Sequence, residues 1–154
     1  MIKRLCGALL VVFAAATLAT AADPPAPTRA PVDNDLADAR SRIAAKDWPG
    51  AREILQQAVA RDPGNADYHN LLAYTIRHEA NPDMATVFKH YGEALRIDPK
   101  HRGAHEYIGE AYLMVGDLTK AKEHLAALDK LCVFSCEEYR DLKKAIQQYE
   151  ARKK

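Results

Sequence analysis

The chain has 154 residues, with 22 lysines and arginines against 21 aspartates and glutamates. That length suits one modest domain. The near-neutral balance excludes the basic face that would neutralise a phosphate backbone, so no nucleic-acid partner is expected.

In chain order, Lys3 and Arg4 precede an apolar, uncharged run from Leu5 to Leu18, closed by the small-x-small triplet Ala19-Thr20-Ala21. This order predicts a secretory signal peptide over residues 1–21, cleaved after Ala21. The alternative is a retained membrane anchor, for which the run is short against the roughly 20 residues a spanning helix needs. Cys6 lies at the start of the run, not at its end, and leaves with it. The alanine-rich composition points to a bacterial Sec-type signal, and hence to a periplasmic or secreted protein with no membrane segment after cleavage. Pro24, Pro25, Pro27 and Pro31 then crowd residues 22–32, which read as an extended linker.

From residue 33 one pattern recurs. Asp-Pro pairs end at Pro63 and Pro99, 36 residues apart, and Ala58 and Ala94 precede them at the same spacing. Asp47, Asp83 and Asp117 recur at 36 and 34 residues, as do Ala51, Val87 and Ala121, and Leu55, Tyr91 and Leu125. Each unit reads as two helices. In the first, a helix near Leu36–Lys46 precedes one running from Trp48 towards Pro63. Pro49 there suits the first turn, and Ile54, Leu55, Ala58 and Val59 form one apolar stripe. The second unit carries two extra residues near Ala80-Asn81 in its inter-helix turn. The third is HEYIGEAYLMVGDLTKAKEHL, His105 to Leu125. Ala39, Ala73 and Gly109 on the first helices, with Ala51 and Ala121 on the second, let antiparallel backbones approach closely. The units occupy about 33–65, 66–101 and 102–132 within residues 33–135. Residues 136–154 form a last helix. Ser135-x-x-Glu138 predicts a capping box, and Tyr139, Leu142, Ile146 and Tyr149 share the face that covers the end of the stack.

The period, with Ile108-Gly109-x-x-Tyr112, Gly116-Asp117, Ala121 and Leu125, resembles the tetratricopeptide repeat (TPR), a 34-residue helix–turn–helix unit. The resemblance implies an all-α, right-handed TPR solenoid of about three repeats plus a C-terminal capping helix. It also implies a concave groove, lined by first helices, that takes a peptide or helix of a protein partner. Carried over by position, that groove shows Asp67, Asn70, Tyr74, Arg77 and His78 from the second repeat and Glu106, Glu110, Leu113 and Met114 from the third. The carboxylate-clamp variety of the family uses lysine, asparagine and arginine there. Glu106 and Glu110 offset Asn70 and Arg77, so a C-terminal carboxylate is not the expected ligand. Tyr74, Leu113 and Met114 suit an amphipathic helix or extended segment better, unless Tyr74 and Leu113 merely complete the core. Three repeats leave one end without an obvious cap, which makes self-association a further reading.

No G-x-S-x-G, phosphate-cradling Gly-rich loop or H-E-x-x-H occurs. An enzyme is therefore not expected, nor a cofactor. Cys132 and Cys136 flank a three-residue turn, which brings their Cα atoms within the roughly 4.4–6.8 Å of a disulfide. An exported protein meets an oxidising compartment, and so short a loop contributes about 2 kcal/mol. The alternative is a periplasmic metal- or thiol-handling protein using Cys132, Cys136 and nearby histidines. Against it, the spacing is not C-x-x-C in a βαβ unit, and a closed zinc site needs four ligands. His101 and His105, four apart, could pair as ligands, but His105 and His69 share a repeat position and are expected to pack. His90 and His124 also share one, on outer helices, and are expected to face solvent.

Overall fold

The computed structural model describes residues 33–153. The signal peptide and the linker expected over residues 1–32 lie outside the described residues. Among those described there are seven helices and no strands: α1 (Asn34–Ala44), α2 (Trp48–Arg61), α3 (Ala66–Arg77), α4 (Met84–Ile97), α5 (Arg102–Met114), α6 (Leu118–Leu131) and α7 (Glu137–Arg152).

The repeated aspartates are the start signals of the second helices. Asp47, Asp83 and Asp117 each accept a backbone N–H from the first turn of α2, α4 and α6. Asp33, Asn65 and His101 cap α1, α3 and α5 in the same way. Such caps satisfy donors that the helix itself leaves unpaired. The helices stop where the chain turns away: Asp62 and Asp98 are C-caps of α2 and α4, and Pro63 and Pro99 follow them. The inter-helix turns before Asp47 and Asp117 pass through left-handed backbone at Lys46 (φ 58°) and Gly116 (φ 85°). In the second unit the two extra residues replace that device.

Each helix packs on its neighbour in sequence, α1 on α2, α3 on α4 and α5 on α6, and the pairs stack chiefly through α2–α3 and α4–α5, with smaller contacts of α1 on α3 and α3 on α5. Helix α7 touches both α5 and α6, the contacts that the first helix of a following unit would make. The small residues sit where backbones meet: Ala39, Ala51, Ala73 and Ala121 are fully buried. A larger core of Leu36, Leu55, Leu72, Ile76, Val87, Tyr91 and Ile108 joins the first two pairs to α5. A second, of Ala121, Leu128, Leu142 and Ile146, fixes α7 to the last pair. Gly109 belongs to that junction. A Cβ there would lie 2.6 Å from Leu142 Cδ2, so the missing side chain admits α7.

Two local expectations are corrected. The Ser135–Glu138 capping box does not form: Cys136 is the N-cap of α7 and makes no side-chain cap bond. Its sulfur is joined to Cys132, the C-cap of α6, with Cα atoms 5.6 Å apart. The N-cap of α7 thus falls one residue after Ser135, and Glu138 turns instead to Arg102, 3.5 Å away. The histidines of the outer helices do not simply face solvent. His69 Nε2–H donates to the Pro63 carbonyl at 3.1 Å, leaving Nδ1 to accept from His90 Nδ1 at 3.0 Å. His105, Pro99 and His124 repeat this arrangement at the same distances. Burial, then the facing His105 and Lys120, pushes His124 down to about 4, and His90 is lowered by burial and by His69. His101 does not join His105 as a ligand. It accepts the Ala104 N–H through Nδ1 and donates to Asp67 through Nε2 at 3.2 Å.

Candidate binding groove

The first helices α3 and α5, with α7 beside them, line a series of adjoining cavities. One of about 310 Å³ is lined by Asp67 and Asn70 of α3, Glu106 of α5, and Glu138 and Asp141 of α7. It continues past Glu106 and Asp141 into one of about 280 Å³ reaching Glu110, Lys144 and Gln148. A third, of about 200 Å³, lies among Arg77, Glu110, Leu113, Met114 and Gln148.

The nine residues expected to form the groove separate into three groups. Asp67, Asn70 and Glu106 meet at the first cavity. Asp67 is held below the usual carboxylate range, chiefly by its hydrogen bond from His101. Glu106 is buried, and that burial, with Glu110, Asp141 and Glu138 nearby, pushes its carboxyl up to about 8.

Tyr74, Arg77 and His78 form a packed cluster rather than a free surface. Arg77 is buried and donates to Glu110 Oε2 at 2.7 Å. Its guanidinium carbon lies 5.4 Å from the Tyr74 ring centroid and 5.8 Å from that of Tyr107. Tyr74 packs on Tyr107 with centroids 4.7 Å apart. His78 is exposed and stacks on Trp48 at 4.9 Å. Arg77 is therefore committed to an internal ion pair and two aromatic faces, which is where a carboxylate-binding arginine would have to be free. Leu113 is partly buried against the α7 core, and Met114 is 54% exposed at the third cavity.

The residues that sequence reasoning missed are those of α7: Glu138, Asp141, Lys144 and Gln148. Their signal was present in the period. Asn70, Glu106 and Asp141 follow one another at 36 and 35 residues, so α7 continues the first-helix register past the third unit.

Among the described residues, no group of three or more His, Cys, Asp or Glu could hold a metal ion. No described helix is long and apolar enough to cross a membrane.

No protein-family model matches the chain. The TPR2B domain of yeast Sti1, in a complex with pHsp70, superimposes with a TM-score of 0.69, covering 78% of this chain and 96% of that one at 16% identity. The chaperone SycD of Yersinia enterocolitica gives 0.67 over 79% and 85% at 14% identity. The chain has the tetratricopeptide-repeat fold. The first TPR of Spaghetti (RPAP3), bound to an HSP90 peptide, shares that fold with a TM-score of 0.65 over 77% and 91% at 17% identity. In sequence, the chain is 31% identical over 75 residues to the inactive TPR repeat-containing thioredoxin TTL3 of Arabidopsis thaliana. That match takes in 49% of this chain and 11% of the curated relative. In TPR terms, α1, α3 and α5 are the first helices of three repeats, and α7 stands where a fourth would begin.

Proposed function

We propose that the protein is an exported, non-catalytic interaction module that holds an extended or helical segment of a partner protein along α3, α5 and α7. The observation that carries this reading is the run of adjoining cavities on those three helices. Segments of this kind suit such a groove because main-chain direction and a few side-chain pockets suffice for recognition. Three structural neighbours support it: the Sti1 domain is in a complex with pHsp70, the RPAP3 domain holds an HSP90 peptide, and SycD holds a peptide of the translocator YopD. Export is supported by the order of residues 1–21 and by Cys132 and Cys136, whose link needs an oxidising compartment to persist.

Met114 is the residue of choice for a test, since it is exposed, lines the groove and carries little of the core. Met114→Glu is expected to lower partner capture by about tenfold with an unchanged thermal melt. Glu123→Lys on the exposed side of α6 is expected to leave capture intact. Equal capture by all three proteins would rule out the groove. Export is tested separately by the intact mass of protein from its native compartment. The expected species begins at Ala22, is two hydrogens light and takes up no alkylating reagent.

A further inference from the structure

Two buried side chains of the first cavity, Asn70 and Glu106, lack a partner, whereas Asp67 and Glu138 beside them are paired with His101 and Arg102. Asn70 is 4% exposed, yet its Oδ1 accepts no hydrogen bond. Glu106, 36 residues on at the same repeat position and 8% exposed, makes no ion pair among the described residues. Both line one cavity with Asp141, an exposed acid of α7 that also forms no ion pair among those residues. Of the cations nearby, Arg77 is bound to Glu110 and Arg102 to Glu138, and Lys144 of α7 lies exposed in the adjoining cavity. Arg40 is exposed at the margin.

We propose that this cavity is a subsite for one ammonium group, the lysine side chain of a basic segment of the partner, with Asn70 Oδ1 and the Glu106 carboxylate as its acceptors and Asp141 as the flanking charge. An ammonium offers three donors and no acceptor, which suits the unpartnered Asn70 Oδ1 and a Glu106 carboxyl that becomes an acceptor alone once it loses its proton. A volume of about 310 Å³ is at the lower end for a ligand pocket, which fits one side chain better than a larger ligand. The subsite rests on the groove reading above and adds the sign of the ligand's charge.

A pH signature follows. Glu106 faces Glu110 on its own helix, Glu138, Asp141 and Lys144 on α7, and Asp67 and Arg77 on α3, with Arg40 of α1 at the margin. Burial and the surrounding acids push its carboxyl up to about 8, so near neutrality it carries a proton. A bound ammonium displaces that proton. Binding therefore releases a proton and tightens as pH rises through about 8.

The test uses protein purified from cells producing the full chain and fluorescein-labelled decapeptides of alternating apolar residues and lysine, glutamine or glutamate, read by anisotropy at pH 6.5 and 8.5. The lysine peptide is expected to bind, and more tightly at pH 8.5. Glu106→Gln is expected to weaken it by about tenfold or more and to abolish the pH dependence, with Glu123→Gln unchanged. Four results would overturn the subsite. Equal binding by Glu106→Gln would mean diffuse charge attraction. Displacement by equimolar spermidine would make a free polyamine the occupant. Equal binding of the glutamine or glutamate peptide would leave the groove reading standing without the subsite. Failure to bind any of the peptides, in a protein that still captures its partner through Met114, would do the same.

Discussion

Glu106 is buried on α5 among Glu110, Glu138 and Asp141, and its carboxyl stays protonated up to about pH 8. The unfolded chain gives up that proton in the ordinary carboxylate range, near 4.5. The folded form thus binds more protons between those values, and stability falls as pH rises from about 4.5 to about 8. Glu106→Gln keeps the shape and removes the charge. It is expected to melt at a higher temperature than the parent at pH 9, with the difference closing by pH 5. A parent and variant that melt together at pH 9 would mean that the carboxyl is well solvated. His90 and His124 act with the opposite sign. Held neutral when folded, they cost stability as pH falls below their unfolded range, but they do so in both proteins and cancel from the comparison. None of these environments could be read from the chain alone. Glu106 looks like one more surface carboxylate, and its burial arises only when the helices are packed. The histidine pairs join positions 21 and 19 residues apart through ring nitrogens, where sequence shows only that the positions recur.

At the scale of the element, the repeats were legible because local and long-range signals coincide in them. Asp47, Asp83 and Asp117 cap helices, Pro63 and Pro99 follow their ends, and the small residues lie at the crossings. Helix α7 was legible as a cap through Leu142, Ile146 and Tyr149, all buried. Its groove face was hidden, because Glu138, Asp141 and Lys144 read as a solvated side. Its cap was misassigned: the N-cap is Cys136, linked to Cys132, and not the Ser135 that the capping box offered. Leu142 is fully buried and occupies the space left by Gly109. Leu142→Ala is expected to cost about 2–5 kcal/mol, measured by denaturant unfolding. Amide exchange should show that the loss frees α7 and the adjoining faces of α5 and α6 while α1–α4 stay protected. Uniform deprotection of all seven helices would show one cooperative unit rather than a detachable end. The same link holds Val133 and Phe134 at 88% and 89% exposure, between α6 and α7.

At the scale of the whole described chain, three helix pairs and a seventh helix form a tetratricopeptide stack, and its first-helix face carries an acid-rich groove around a committed arginine. The Arg77–Glu110 pair and the Tyr74–Tyr107 contact join α3 to α5, so the floor of the groove is braced by side chains that sequence position alone would assign to a ligand. What remains for a partner is the run from Asn70 and Glu106 to Met114, with α7 as one wall. The most direct measurement of that account is site-specific photocross-linking in cells, with the reactive side chain at Met114 in one protein and at Glu123 in another. A discrete cross-linked partner from Met114, absent from Glu123 and mapped by mass spectrometry to one segment, is the predicted result. Cross-links of equal yield from both positions, or from Glu123 alone, would contradict it and place the working surface on the outer helices.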